Sequence, residues 1–549
     1  MRAAVLTAVI ALTVFAGASA VERTPSYRFP WKEAGLTERE AAAHLLNRFS
    51  YGPCPGEIDR VLKIGLDRWF ERQLAGRQAE PGLERLDALP ALSMPARRIA
   101  EVYPPRAVAL RQGLQGYRSQ RELIGQLMAQ KLWRAAGAEN QLTEVMTDFW
   151  FNHFNVSLTD NQARGYVLSY ERDAIRPNAL GDFRGLLGAT ARHPAMLLYL
   201  DNAQSAAPMV DRPSRSDFEA LPRTRRPRGL NENYARELLE LHTLGVDGGY
   251  NQADVIQVAR AFTGWTLMPP GPRRLVAEAK LRRAEGLGFV VEDEFLFRAD
   301  LHDVEEKVVL GRKLPAGRGV EDGEEVLDLL ARHPATARHV AHKLAVRFVS
   351  DEPPRALEER LAGVFLKTGG DTREMLRVLA TSPDFWSRRT VGAKIKSPFE
   401  LAASALRATG GRIEDPRELA GWIARMGQPL YAYQAPTGFP DRGEAWVNTG
   451  SLLQRMNFGL QLAAGRIGGV DLDLADLNGR REPASRDEAL QVYAGLLLPG
   501  RNLEPVLAQL GPMIHNPELA KKVDAGSRAP RPLEQVVGVI LGSPEFQRR

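Results

Sequence analysis

Cysteine is almost absent: Cys54 is the only one in 549 residues. No disulfide can close within the chain, so its stability must come from packing. Cys54 follows Pro53 in a turn, and no histidine or asparagine partner can be assigned to it, which favours a semi-buried small side chain over a nucleophile. Long apolar runs are also missing, except for one near the start that is too short and wrongly flanked for a stable membrane span. There is no Gly-x-Ser-x-Gly elbow, no Walker loop, no Gly-x-Gly-x-x-Gly opening a strand-helix unit and no His-Glu-x-x-His. An α/β hydrolase, a nucleotide enzyme or a zincin would have left these traces, and the first two would also have left a series of strands. Aromatic residues make up only 7% of the chain, and none interleave with its basic stretches.

The short apolar run reads as an address. Arg2 supplies a positive start, Ala3 to Ala16 an apolar core and Ala18-Ser19-Ala20 a small-residue cleavage site, so the mature chain is expected to begin at Val21. A Sec-type leader of this kind sends the protein to the periplasm or the medium. The leader has neither a twin arginine nor a cysteine at the cleavage point, which argues against the Tat route and a lipid anchor.

The remaining composition is that of a large soluble protein. Hydrophobic residues make up 44% of the chain, and the formal charge is a modest +6. The excess positive charge gathers in Arg212 to Arg228 and Arg273 to Arg283, both read as loops between helices rather than as a nucleic-acid surface. Helical spacing of apolar residues recurs almost throughout, for example in Glu38–Phe49, Gln141–Asn152, Asn233–Leu244, Gln252–Thr263 and Thr336–Phe348. Strand signals are few. Gly288–Phe297 alternates in part and, with Val308–Leu310, could make one small hairpin near His302. The expectation is an all-α, multi-helix array with at most one small β-hairpin near residues 288–311. It follows the leader (1–20) as a single helical domain (21–549), with a division into subdomains of about 30–270 and 300–549 left open.

The most informative stretch runs from Gly229 to Trp265. Asn231 is a good N-cap, Glu232 complements the positive end of the helix dipole, and Gly245 is placed to end the helix. Glu232, Arg236 and Glu240 share a stripe that Asn233 and Glu237 widen, while His242 falls among the leucines on the other side. As a solvated face, the Glu232/Arg236 and Arg236/Glu240 pairs would contribute only about 0.2–0.5 kcal/mol each. Every position from Asn231 to Leu241 also fits Asn-Glu-Asn-Tyr/Phe-Ala-Arg-Glu-Leu-x-Glu-Leu. That phrase resembles the signature of the DUF1800 family of exported bacterial proteins, which is functionally uncharacterised.

Other phrases extend the resemblance along the mature chain. They include His44 to Pro53, Met146 to Phe154, Leu301-His302-Asp303 with Lys307, Lys396-Ser397-Pro398-Phe399, and Met426 to Tyr431 followed by Trp446-Val447-Asn448. Phe151 stands where the family usually has a histidine, and Phe439 where tryptophan is common. The resemblance implies a site-lining polar network in place of a merely charged face. Its acid/base candidates are His153, Glu232, Glu237 and His302, with Arg236 as their charge partner. Metal stays open through Glu237, Glu240 and a distant histidine; no cofactor is indicated. Two functional classes remain: an extracytoplasmic hydrolase working through these Glu and His residues, with or without a metal, or a non-catalytic scaffold. Because family members are often encoded beside exported, sulfatase-like DUF1501 proteins, the resemblance also implies a possible partner of that kind.

Overall fold

The computed structural model describes residues 27–208, 229–284, 286–516 and 532–549. The leader with its cleavage site and all of the Arg212–Arg228 stretch lie outside these residues. Most of the described chain is helical, and the helix starts follow local chemistry. Thr37 and Glu40 close a capping box on Glu38–Phe49, Ser119 caps Gln120–Gly137, and Ser397 with Glu400 boxes Pro398–Thr409 behind a proline in the first turn. Gly410 ends the last of these in the left-handed conformation. The apolar faces meet in a buried cluster that draws on residues from Phe29 to Phe546.

Strands are short and few, in keeping with the helical class, but the expected hairpin is partitioned differently. Val290–Glu292 (here β2) pairs with Phe295–Phe297 (β3), and β3 pairs on its other edge with Trp265–Leu267 (β1), all antiparallel. Lys307–Val309 (β4) turns back on Arg312–Leu314 (β5) by itself. The turn between β4 and β5 holds Leu310 and Gly311 at φ of 48° and 78°, the sign a two-residue primed turn needs. β2 and β3, like β4 and β5, are joined by a two-residue turn, a much shorter loop than pairing 288–297 with 308–310 would close, while β1 reaches β3 across the helix Pro272–Arg283. A further two-residue pair joins Arg412–Ile413 (β6) to Val470–Asp471 (β7).

The basic stretch expected as a loop at Arg273–Arg283 is instead a helix, Pro272–Arg283, with proline in its first turn. It lacks a broad apolar stripe because little of it is buried: Leu275 and Val276 face solvent, and Ala277 makes the core contact. Arg274 pins it through Glu278 at 2.8 Å and Glu294 at 3.0 Å.

Candidate functional site

The Asn231–Leu241 helix starts one residue later than expected, with Glu232 as its N-cap, while the Asn231 side chain accepts from the Asn233 amide at 2.9 Å. It is α-helical over Asn233–Glu237 and then widens into a π-turn over Leu238–Thr243, where the Thr243 hydroxyl donates to the Leu238 carbonyl at 2.6 Å. Gly245, at φ 86°, follows its end. Glu232 and Arg236 pair at 3.2 Å with side chains 37% and 42% exposed, and Gln252 bridges them by hydrogen bonds of 2.7 and 2.9 Å. This part of the stripe is solvated. Arg236→Ala should therefore lower stability by less than about 1 kcal/mol in a thermal melt, far below the loss expected for a buried pair.

Glu237 differs from its neighbours. It is half-buried, and desolvation together with the adjacent Glu240 raises its carboxyl above the usual range. Glu240 accepts from the Tyr250 hydroxyl at 3.3 Å.

His153 is buried at the end of the helix Gln141–His153, where its Nε2 bonds the carbonyl of His242 at 3.0 Å and its Nδ1 has no hydrogen bond. The His153 ring centroid lies 6.3 Å from that of His242 and 5.9 Å from that of His339, whose Nε2 reaches the Leu241 carbonyl at 3.1 Å. Burial first, then Lys343, depresses all three: His153 well below its ordinary value, His242 to about 3 and His339 to about 4. These rings are neutral packing units that fasten the π-turn to its neighbours. Because the unfolded chain binds their protons more readily, folding stability should fall as pH drops from about 6.5 toward 3. Replacing His242 with Gln should flatten that fall, as read from urea midpoints across the range.

His302 has taken separate partners. Its Nδ1 lies 2.9 Å from the Thr263 carbonyl and its Nε2 3.3 Å from Asp322, rather than facing its neighbour Asp303. Asp303 is claimed by Arg260 at 2.7 Å. Lys307, fully buried, sits 3.9 Å from Asp303 but only 2.7 Å from Asp322. Arg318 Nε approaches Asp322 Oδ1 at 3.1 Å without hydrogen-bond geometry. Of the five residues singled out in the sequence, the structure pairs Glu232 with Arg236 and ties His153 to the far end of the same segment. His302 belongs to another buried network. Among the described residues no group of three or more His, Cys, Asp or Glu is arranged to hold a metal ion.

The other sequence phrases meet elsewhere, around a narrow cleft of about 70 Å³. Phe149, Phe151, Asn152 and Asn155 form one wall, Ser397 and Glu400 the floor, and Gln428, Leu430, Tyr431 and Phe439 to Asp441 with Trp446 the opposite side. Asn152 clamps the far loop as a strand edge would, donating to the Phe439 carbonyl at 2.8 Å and accepting from the Phe439 amide at 2.7 Å. The clamp requires glycine at 438: its φ is +71°, and a Cβ there would lie 2.2 Å from the Asn152 carbonyl oxygen. Asn155 holds the same loop through the carbonyls of Tyr433 and Ala435.

Every charged side chain lining the cleft has an opposite partner. Lys131 meets Asp148 at 2.5 Å and lies over the Phe399 and Tyr431 rings at 4.8 and 4.9 Å. Glu400 binds both Arg347 and Arg549, and Asp441 lies 3.5 Å from Lys343. Burial pushes the Glu400 carboxyl up, but the two guanidiniums outweigh it and bring it down to about 2. Lys131, Glu400 and Arg347 were not singled out in the sequence. Phe399 and Glu400 lie within or beside the Lys-Ser-Pro-Phe phrase, so its convergence with the Asn152 phrase was the usable signal.

Buried ion-pair networks on a helical scaffold, with a small aromatic-walled cleft, define a large helical protein built around ion pairs. The family model described as "Protein of unknown function (DUF1800)" matches residues 44–548, and the chain belongs to that family. No curated protein and no solved structure matches it.

Proposed function

We propose that the chain is an exported helical scaffold that docks another extracytoplasmic protein through the cleft between Asn152 and Phe439. The observation that carries this reading is the pairing of every charged group lining the cleft, which leaves no cleft acid or base free to exchange protons with a substrate. The size of the cleft agrees: small-molecule sites usually occupy about 300–1,000 Å³, whereas about 70 Å³ suits one inserted side chain. The walls are aromatic, as in protein-recognition pockets. An exported DUF1501-type protein is the partner the family resemblance favours. Co-elution of the two purified mature proteins in size-exclusion chromatography is the expected outcome, and two separate peaks at micromolar concentration would count against it.

Export is part of this reading. The apolar leader before Ala20 supports a mature start at Val21, and among the described residues no helix is long and apolar enough to cross a membrane. An intact mass beginning at Val21, from protein made in the native host, is the expected result; retained Met1 or a lipidated start would sink it.

Glu237 favours a second reading. A carboxyl raised by desolvation beside a second carboxyl is the arrangement a general acid uses, so an extracytoplasmic hydrolase working through Glu237 is the alternative. The two are separable. Glu237→Gln would abolish turnover of any polymer the protein cleaves while leaving the melting temperature nearly intact, and would leave partner docking unchanged.

A further inference from the structure

Lys396, from the Lys-Ser-Pro-Phe phrase, lines a second cavity of about 170 Å³ rather than the docking cleft. The residue is only 4% exposed, and its ammonium lies 4.1 Å from the centroid of the Phe546 ring. The ammonium makes no hydrogen bond or ion pair among the described residues, although the backbone amide and carbonyl are bonded to Gln547 and Arg455. Its nearest charged influences are Arg501, Arg549 and Arg455 on one side and Glu400 on the other, and Glu400 is already committed to Arg347 and Arg549. Burial, then Arg501, brings Lys396 down to about 7, the condition of an ammonium without a counter-ion.

The same cavity holds the converse defect. Glu545 also lines it, and its Oε2 is buried without a hydrogen-bond partner. A buried donor and a buried acceptor, each unmatched and not paired with one another, are costly in a protein interior unless something bridges them. Leu497, Leu498 and Phe546 supply apolar wall between them.

We propose that this cavity binds a small apolar amino acid, its carboxylate against Lys396 and Arg501 and its ammonium against Glu545. The ligand needs both charged ends. Arg501 is the charged neighbour of Glu545 but makes no hydrogen bond to it, so a carboxylate alone draws Arg501 and leaves Glu545 Oε2 without a donor, and an amine alone leaves Lys396 without an acceptor. The volume admits a side chain about the size of valine or leucine. Binding should tighten below pH 7, where Lys396 is protonated before the ligand arrives.

The test uses the full mature chain at pH 6.5 and constant ionic strength, with L-valine, 3-methylbutanoate and isobutylamine as separate probes in thermal melts and calorimetric titrations. L-Valine should raise the melting temperature by a few degrees in a saturable way, and the single-ended probes should do so far less. Lys396→Met should abolish the valine response. Glu545→Gln should reduce it to the level of 3-methylbutanoate. Acetylation of Lys396, followed by peptide mass mapping, gives a readout that needs no variant: saturating L-valine should protect the amine. The proposal is overturned if valine gives no saturable shift, if 3-methylbutanoate matches it in the parent protein, or if both variants respond as the parent does. Failure to protect Lys396 from acetylation would overturn it equally.

Discussion

Glu400→Gln should lower the unfolding free energy by about 3–5 kcal/mol, the largest loss expected from a single neutral substitution in this chain. The side chain keeps its shape and can still serve the capping box with Ser397, whose amide it accepts at 2.8 Å. What disappears is the charge between Arg347 and Arg549, which lies 3.2 Å away; both guanidiniums are buried. Arg48, buried nearby with its guanidinium on the carbonyls of Phe348 and Thr390, is a third cation and adds to the uncompensated positive charge. The acid limb of the stability curve gives a second reading of the same group. The Glu400 carboxyl is depressed to about 2 in the fold from an ordinary value of 4.5. Its contribution is therefore present in full above about pH 4.5 and lost as pH falls toward 2, and a shift of this size corresponds to about 3 kcal/mol. Urea unfolding of the parent and Glu400→Gln at pH 7 and pH 3 measures both, and the gap between them should narrow at the lower pH. An unchanged midpoint at pH 7 would mean that the two guanidiniums find other partners.

Asp322→Asn should cost about 3 kcal/mol through a different network. Asp322 is buried, and it anchors the fully buried Lys307 at 2.7 Å and His302 at 3.3 Å. Asparagine leaves the Lys307 ammonium with the carbonyls of Asp303 and Glu305 and only a distant carboxylate, 3.9 Å away on Asp303. Lys307→Met should be milder, because removing a buried cation whole is easier to accommodate than stranding it. Combining Lys307→Met with Asp322→Asn should recover part of the loss, a coupling that a double-mutant cycle on thermal melts would detect. Strictly additive single effects would show that Asp322 and Lys307 do not depend on each other.

The helices were legible because their apolar spacing and their caps agree, as at Thr37, Ser119 and Ser397. Helix Pro272–Arg283 escaped because an exposed helix needs no apolar stripe, and the hairpins were mispaired because period-two alternation does not name the partner strand. The site was legible only in pieces. Residues on one stripe, such as Glu232 and Glu237, look equivalent in sequence, yet one is solvated and the other half-buried beside Glu240. Which side a stripe faces depends on contacts from distant segments, and no spacing rule encodes those. His302 illustrates the same limit: its partner Asp322 is twenty residues on, while the adjacent Asp303 turns to Arg260.

The docking reading stands or falls on the cleft. The decisive measurement is calorimetric titration of the chain with an exported DUF1501-type protein, the partner class proposed above, alongside a Phe439→Ala variant. Phe439 is partly buried on the clamped loop, outside the main core, and packs on Tyr433 and Trp446 at 4.7 and 5.8 Å, so its removal opens the cleft wall with little effect on the core. The account predicts saturable binding by the parent and at least a tenfold weaker complex for Phe439→Ala, a difference of about 1.4 kcal/mol. No binding by the parent, or equal binding by both, would contradict it.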